Sequence, residues 1–192
     1  MTPAPKIANP GPLGLLGFGV TTLLLSLVNS NLLGTNLTAD AVLPLALIFG
    51  GGAQLLAGMW EFHAGNTFGA TAFTGFGAFW VSFYFLVTQG FAAKAGTYGV
   101  ATYLLGWTIF TLILTVASFR VNGATASLFT LLLLTFAALT IGAYMGSDGT
   151  TLNNIGGYLG IVTAVNAFYN AAAGVLKDLA GKDVLPVFAP KS

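Results

Sequence analysis

Long apolar runs, broken by short polar links, set the pattern of this chain. No Asp, Glu, Lys or Arg falls between Lys6 and Asp40, Glu61 and Lys94, Lys94 and Arg120, or Asp148 and Lys177. A helix needs about 20 mostly apolar residues to cross a bilayer, and the runs predict six such spans. The first covers residues 11–33, entered through Asn9-Pro10-Gly11-Pro12, where proline suits a first helical turn. The second covers 41–60 and ends at Glu61. The third opens at Gly65-Asn66-Thr67-Phe68-Gly69 and reaches residue 91; its glycines fit a helix start or a re-entrant segment, and the helix start is preferred. The remaining spans are 98–119, 127–144 and 155–176. The expected architecture is therefore an all-α integral membrane protein, a six-transmembrane-helix bundle over residues 11–176. A short tail (1–10) precedes it and a cytoplasmic tail (177–192) follows.

Composition narrows the class. Of 192 residues, 56% are hydrophobic and 6% charged, with mean hydropathy +0.86, whereas soluble domains carry roughly 25% charged residues. A net charge of +1 offers no basic stripe for phosphates, so nucleic acid is not an expected partner. With no cysteine and one histidine there is no thiolate site, disulfide or histidine-rich metal centre, and no cofactor is expected. No removable signal peptide is read at the start, because the first apolar run continues without a small-residue cleavage site. Six spans put both termini on one side. That side holds Lys6, Arg120, Lys177, Lys182 and Lys191, against Lys94 with Asp40 and Asp148 on the other, which predicts N-in and C-in across the cell membrane. The 26 glycines include Gly50-Gly51-Gly52 and small-residue pairs at Gly65/Gly69, Ala95/Gly99 and Gly156/Gly160, which let helices approach within or between protomers.

Polar side chains inside apolar spans are costly and tend to face a bundle interior or a wet path. Thr22, Ser26 and Asn29 share one helix face, as do Thr67, Thr71 and Thr74, and Thr163, Asn166 and Asn170. Gln54 shares a face with Gly58 and Glu61. Such uncharged groups suit a path for a small polar or anionic solute. The structural alternative is that hydroxyls bond back to the carbonyl four residues earlier and that amides bridge helices. Glu61 and His63 stand near a span end, as a proton-exchanging pair or as interfacial anchors. No ionisable group lies deep in a span, so any proton coupling is peripheral or carried by the solute as its neutral acid. No catalytic constellation is present, and the chain is not expected to be an enzyme.

Specific strings then resemble a known family. Asn9-Pro10-Gly11-Pro12-Leu13-Gly14-Leu15 with Gly17-Phe18-Gly19 is similar to the N-terminal signature of the acetate uptake transporters, also called succinate-acetate permeases. Residues 51–80, with Ala53-Gln54, Ala57-Gly58, Glu61, Thr71-Ala72-Phe73-Thr74 and Gly77 through Trp80, resemble the second signature. The resemblance implies a homo-hexamer with one path per protomer for acetate and, in some members, succinate, described as proton symport. It also implies an apolar constriction at Phe18, Phe76 and Leu132, able to gate by dewetting. It places Ala167 near the path beside Asn166, and Asn9 as a carboxylate donor, the alternative for Asn9 being a helix cap. Two positions depart: Gly11 replaces alanine, which should loosen the start of the first span, and Phe76 replaces tyrosine, which removes a donor and argues for monocarboxylates. The expected function is a proton-linked carrier or anion channel for acetate and similar small carboxylates. The alternatives are an acetate-binding membrane sensor and a channel for a neutral solute such as ammonia.

Overall fold

The computed structural model describes residues 7–34 and 38–189, and all regular structure among them is helical. Lys6 and Lys191, two of the residues that set the expected orientation, lie outside the described residues. Five helical stretches are long and apolar enough to cross a membrane: Gly11–Asn29, Ala39–His63, Thr67–Thr88, Phe91–Ser118 and Gly123–Ala180. The first is α1, which stops at Asn29, short of the expected residue 33. The last is turned at Gly146–Gly149 into two helices, α6 (Gly123–Met145) and α7 (Thr150–Ala180). These pack antiparallel, with Ser127 bonded to Asn166 and Thr135 to Thr163.

The second stretch is not one regular helix. After a short turn it runs as α2 (Val42–Leu47), widens into a π-helical turn at Ile48–Ala53, and resumes as α3 (Gln54–His63). Glycine makes the widening useful. A Cβ on Gly50 would lie 2.7 Å from Thr21 Oγ1 and 2.9 Å from Trp80 Cδ1, and one on Gly17 would lie 2.8 Å from the Phe49 carbonyl oxygen. The π turn thus lets α1 and the indole of Trp80 close against bare backbone.

α4 (Thr67–Thr88) begins as an ordinary capped helix, Asn66 Oδ1 accepting the Gly69 N–H at 3.1 Å. α5 (Phe91–Ser118) begins earlier than expected, but Gly96, at φ 68° and ψ 179°, sets its first turn apart from the long run that follows. α7 packs between α1 and α6. Its glycines make that contact: a Cβ on Gly156 would meet Leu139 of α6, and one on Gly157 or Gly160 would meet Ser30 or Ser26 of the first stretch. This pairing is within the chain.

Phe18, Phe76, Phe79, Trp80, Phe129 and Phe136 form an aromatic core with Leu114, Leu128 and Leu132. Ile109, Leu112, Ile113 and Val116 of α5 point outward, as lipid-facing side chains do. α7 continues past residue 176 to Ala180, and the chain then returns beneath α6. The Tyr169 hydroxyl donates to the Pro186 carbonyl at 2.7 Å, while the N–H groups of Gly123 and Ala124 donate to the carbonyls of Phe188 and Val187. The tail thereby satisfies donors that the start of α6 leaves free.

Candidate functional site

Two cavities follow one another along the bundle. The near cavity, about 170 Å³, is lined by α1 up to Phe18 and by α6 up to Leu132. The far cavity, about 430 Å³, is lined by α1 from Phe18 to Asn29 and by α6 from Leu132 to Ala143. Phe18 and Leu132 are the residues the two share, so the boundary falls where both helices pass from one cavity to the other. Phe76 closes the near cavity beside them. Its ring, 2% exposed, lies 5.7 Å from that of Phe18, 5.3 Å from Phe110, 6.2 Å from Phe129 and 6.3 Å from Phe136. Aromatic rings on every flank leave no polar partner at this level.

The mouth of the near cavity is built from helix ends. Glu61, 3% exposed, accepts from Asn66 Nδ2 at 2.8 Å, and Asn66 in turn caps α4. Asn9 Oδ1 accepts the Gly11 N–H at 3.0 Å at the start of α1. The Glu61 carboxyl group therefore sits beside the N-terminal ends of α1 and α4. Glycine makes the approach possible: a Cβ on Gly69 would lie 2.8 Å from Glu61 Cδ, and one on Gly11 would lie 3.0 Å from Asn9 Oδ1 and 3.4 Å from Glu61 Oε1. Gly11 leaves space between Asn9 and Glu61. Deeper in, Gln54 is 1% exposed and lines the cavity, and its amide oxygen has no donor among the described residues. Neither cavity is lined by a Lys, Arg or His.

Several sequence candidates lie elsewhere. Thr67, Thr71 and Thr74 line neither cavity: Thr67 and Thr71 are exposed, Thr71 Oγ1 donates to the Thr67 carbonyl at 2.8 Å, and Thr74 presses on Gly58. The inward face of α4 is instead Gly69, Ala72, Phe73 and Phe76. Threonine can meet its own hydrogen-bond needs inside the helix, so a threonine stripe need not face a path. Asn166 and Asn170 staple α7 to α6, through Ser127 Oγ at 2.8 Å and the Ala124 carbonyl at 3.3 Å. Ala167 is fully buried beside Gly19, in the same core cluster as Phe18 but outside both cavities. His63 is exposed with its ring against Trp60, 5.7 Å between centroids, so it is separated from the buried Glu61. The stripe of Thr22, Ser26 and Asn29 does line a cavity, the far one, together with Trp80, Tyr103 and Asn153, which the sequence reading had not selected.

A helical bundle with two cavities in line, an apolar barrier between them and polar groups on either side belongs to the class of membrane proteins that pass a small solute. The comparisons make this specific. The model of the GPR1/FUN34/yaaH family matches residues 1–188, and the chain belongs to that family. It is a multi-pass membrane protein. It is 35% identical to the succinate-acetate/proton symporter SatP of Escherichia coli K12, over 95% of this chain and 96% of that protein. To acetate permease A of Emericella nidulans it is 37% identical, over 96% of this chain and 67% of the relative. To ammonia transport outward protein 2 of Saccharomyces cerevisiae it is 41% identical, over 91% of this chain but only 64% of the relative's length. The solved structure of the bacterial acetate channel SatP superposes with a TM-score of 0.85 at 34% identity, covering 95% of this chain and 99% of that one.

Proposed function

We propose that this protein passes acetate and similar small monocarboxylates across the cell membrane, through the near cavity, the constriction at Phe18, Phe76 and Leu132, and the far cavity. The observation that carries the reading is Gln54: a buried primary amide with an unpartnered oxygen, at the end of a cavity that stops against apolar rings. A primary amide matches a protonated carboxylic acid, taking its O–H on the oxygen and giving an N–H to its carbonyl. An ionised carboxylate leaving Gln54 would meet no donor at the constriction, and stripping water from an unpaired charge is far costlier than from a neutral acid. The solute therefore crosses as the acid and the proton travels with it. Glu61 at the mouth is the group that can exchange that proton, with Asn66 holding its carboxylate and Asn9 beside it; His63 is outside this route.

With phenylalanine at 76, a second carboxyl group finds no partner in the constriction, which favours acetate over succinate. The five apolar stretches, with the last counted as α6 and α7, support six crossings with both ends in the cytoplasm, and family membership supports a hexamer with one path in each protomer. Thr74, Asn166, Ala167 and Asn170 pack helix against helix, Thr67 and Thr71 bond within α4, and none of the six lines either cavity. One alternative has specific support, since the yeast relative is named for ammonia transport and no Lys, Arg or His lines either cavity.

The deciding experiment is uptake of labelled acetate into proteoliposomes, with and without an inward proton gradient, with formate, lactate, succinate and ammonium as competitors. Accumulation driven by the gradient and blocked by formate supports the proposal. Uptake that only equilibrates makes the protein a channel, and binding without uptake makes it a sensor. Ammonium flux indifferent to acetate selects the ammonia reading.

A further inference from the structure

The first turn of α6 forms part of the near cavity, with Val121 and Thr125 on its wall. The turn is fastened from two sides. Asn122 Oδ1 accepts the Thr125 N–H at 2.7 Å, whereas the N–H groups of Gly123 and Ala124 find their acceptors in the returning tail, the Phe188 carbonyl at 2.9 Å and the Val187 carbonyl at 3.1 Å. A helix start leaves such donors free unless a group outside the helix takes them. The tail is itself tied to α7: the Tyr169 hydroxyl donates to the Pro186 carbonyl at 2.7 Å, and Lys177 pairs with Asp183 at 2.8 Å.

Two details at the end of the tail fit each other. Phe188 has φ 55°, a left-handed backbone that a bulky side chain rarely adopts, and it is 71% exposed, so burial of its ring does little to hold it there. A Cβ on Gly123 would lie 2.9 Å from Phe188 Cβ and 3.4 Å from its carbonyl oxygen, so the tail is seated on bare backbone. Among the described residues, three hydrogen bonds and one exposed ion pair hold the tail in place against the conformational preference of Phe188. A segment held on such terms opens more readily than a buried core.

We infer that residues 183–188 are a releasable strap on the near cavity. Docked, they fix the first turn of α6 and with it Val121 and Thr125; released, they free the N–H groups of Gly123 and Ala124 and let that wall move. Gly123 and Tyr169 line neither cavity, so they act as positioning residues through the tail. The strap works apart from the constriction, since Leu132 lies seven residues beyond Thr125, about 10 Å along the helix. A wall that moves captures a solute less well, because binding must then order it again. The effect on uptake rests on the transport reading; the docking of the tail does not.

The test uses the full chain in proteoliposomes or detergent. Hydrogen exchange over residues 121–126 reads how often the strap lets go. Tyr169→Phe removes one bond and should speed exchange at Gly123 and Ala124 about fivefold, the factor for one lost hydrogen bond. Phe188→Asn, which suits a left-handed backbone, should slow it; if packing of the phenyl ring held the tail, the same change would speed it. The chain has no cysteine, so Thr125→Cys puts a single thiol on the cavity wall, and adding Tyr169→Phe should speed its reaction with a soluble maleimide. Gly123→Ala displaces the tail while suiting a helix start. In uptake it should raise the half-saturating acetate concentration and keep the maximal rate per folded protein. The inference is overturned by exchange that ignores Tyr169→Phe, by faster exchange in Phe188→Asn, or by a Thr125→Cys thiol that reacts equally with and without Tyr169→Phe. It is also overturned if Gly123→Ala lowers the maximal rate at unchanged half-saturation. Exchange and labelling that behave as expected in vesicles that take up no acetate uphold the strap and remove the transport reading.

Discussion

Leu132→Ala is the sharpest perturbation of the path, because Leu132 and Phe18 are the two residues that line both cavities. Leu132 is 4% exposed, so in a soluble core its truncation would cost about 2–5 kcal/mol. The low end applies here. The space it vacates joins existing cavities of about 170 and 430 Å³ instead of opening a sealed void. The gain in flux comes from water. A carboxylic acid crossing the intact constriction forgoes its hydrogen bonds, and readmitting a single water restores about 1 kcal/mol, which is about fivefold in rate. Phe76→Ala behaves differently. Phe76 lines only the near cavity and packs against Phe18, Phe110, Phe129 and Phe136. Its loss costs about 3–5 kcal/mol, and the surrounding rings collapse into the gap. Acetate uptake into proteoliposomes, normalised to monodisperse protein recovered from the same vesicles, should therefore rank Leu132→Ala above the parent chain, with Phe76→Ala below Leu132→Ala. Equal flux in Leu132→Ala and the parent, or a higher flux in Phe76→Ala, would refute a barrier set by the residues common to both cavities.

Four further outcomes follow from the same geometry. Asn66→Ala removes the cap of α4 and the partner of Glu61, and should lower stability by about 1 kcal/mol in thermal unfolding in detergent. Asn66→Asp keeps the cap but replaces the N–H that Glu61 accepts by a second acceptor, so it should also be less stable than the parent in the same assay. Thr71→Val should transport acetate as the parent does, because Thr71 bonds within its own helix and lines neither cavity; a several-fold loss of uptake would return the threonine stripe to the path. Gly157→Val should abolish folded protein on size exclusion, because any Cβ there falls on the Ser30 backbone of the first stretch.

The spans were legible because charge is expelled from a bilayer core, and a gap in the charges marks each crossing. Their ends were less so. α7 runs on through Lys177 to Ala180 because leaving the membrane does not require leaving the helix, and Lys177 pairs with Asp183 at 2.8 Å in water. The π turn at Ile48–Ala53 was legible only as a run of glycine, which signals a close approach without saying what approaches.

At the site, residue type and helical phase carried unequal weight. Gln54, Glu61, Asn66 and Asn9 line the near cavity, and all are groups with more hydrogen-bonding capacity than their own helix can absorb. Threonine has no such excess, so a shared face for Thr67, Thr71 and Thr74 located a stripe without locating its neighbour. Trp80 entered only as the last residue of the second signature, with no chemistry assigned to its indole. What sets Trp80 and Thr22 apart is a missing hydrogen bond, and that is a property of packing: it exists only once α1 and α4 are docked against the π turn. The polar groups the fold leaves unpaired therefore become visible only when every other donor and acceptor has been given its partner.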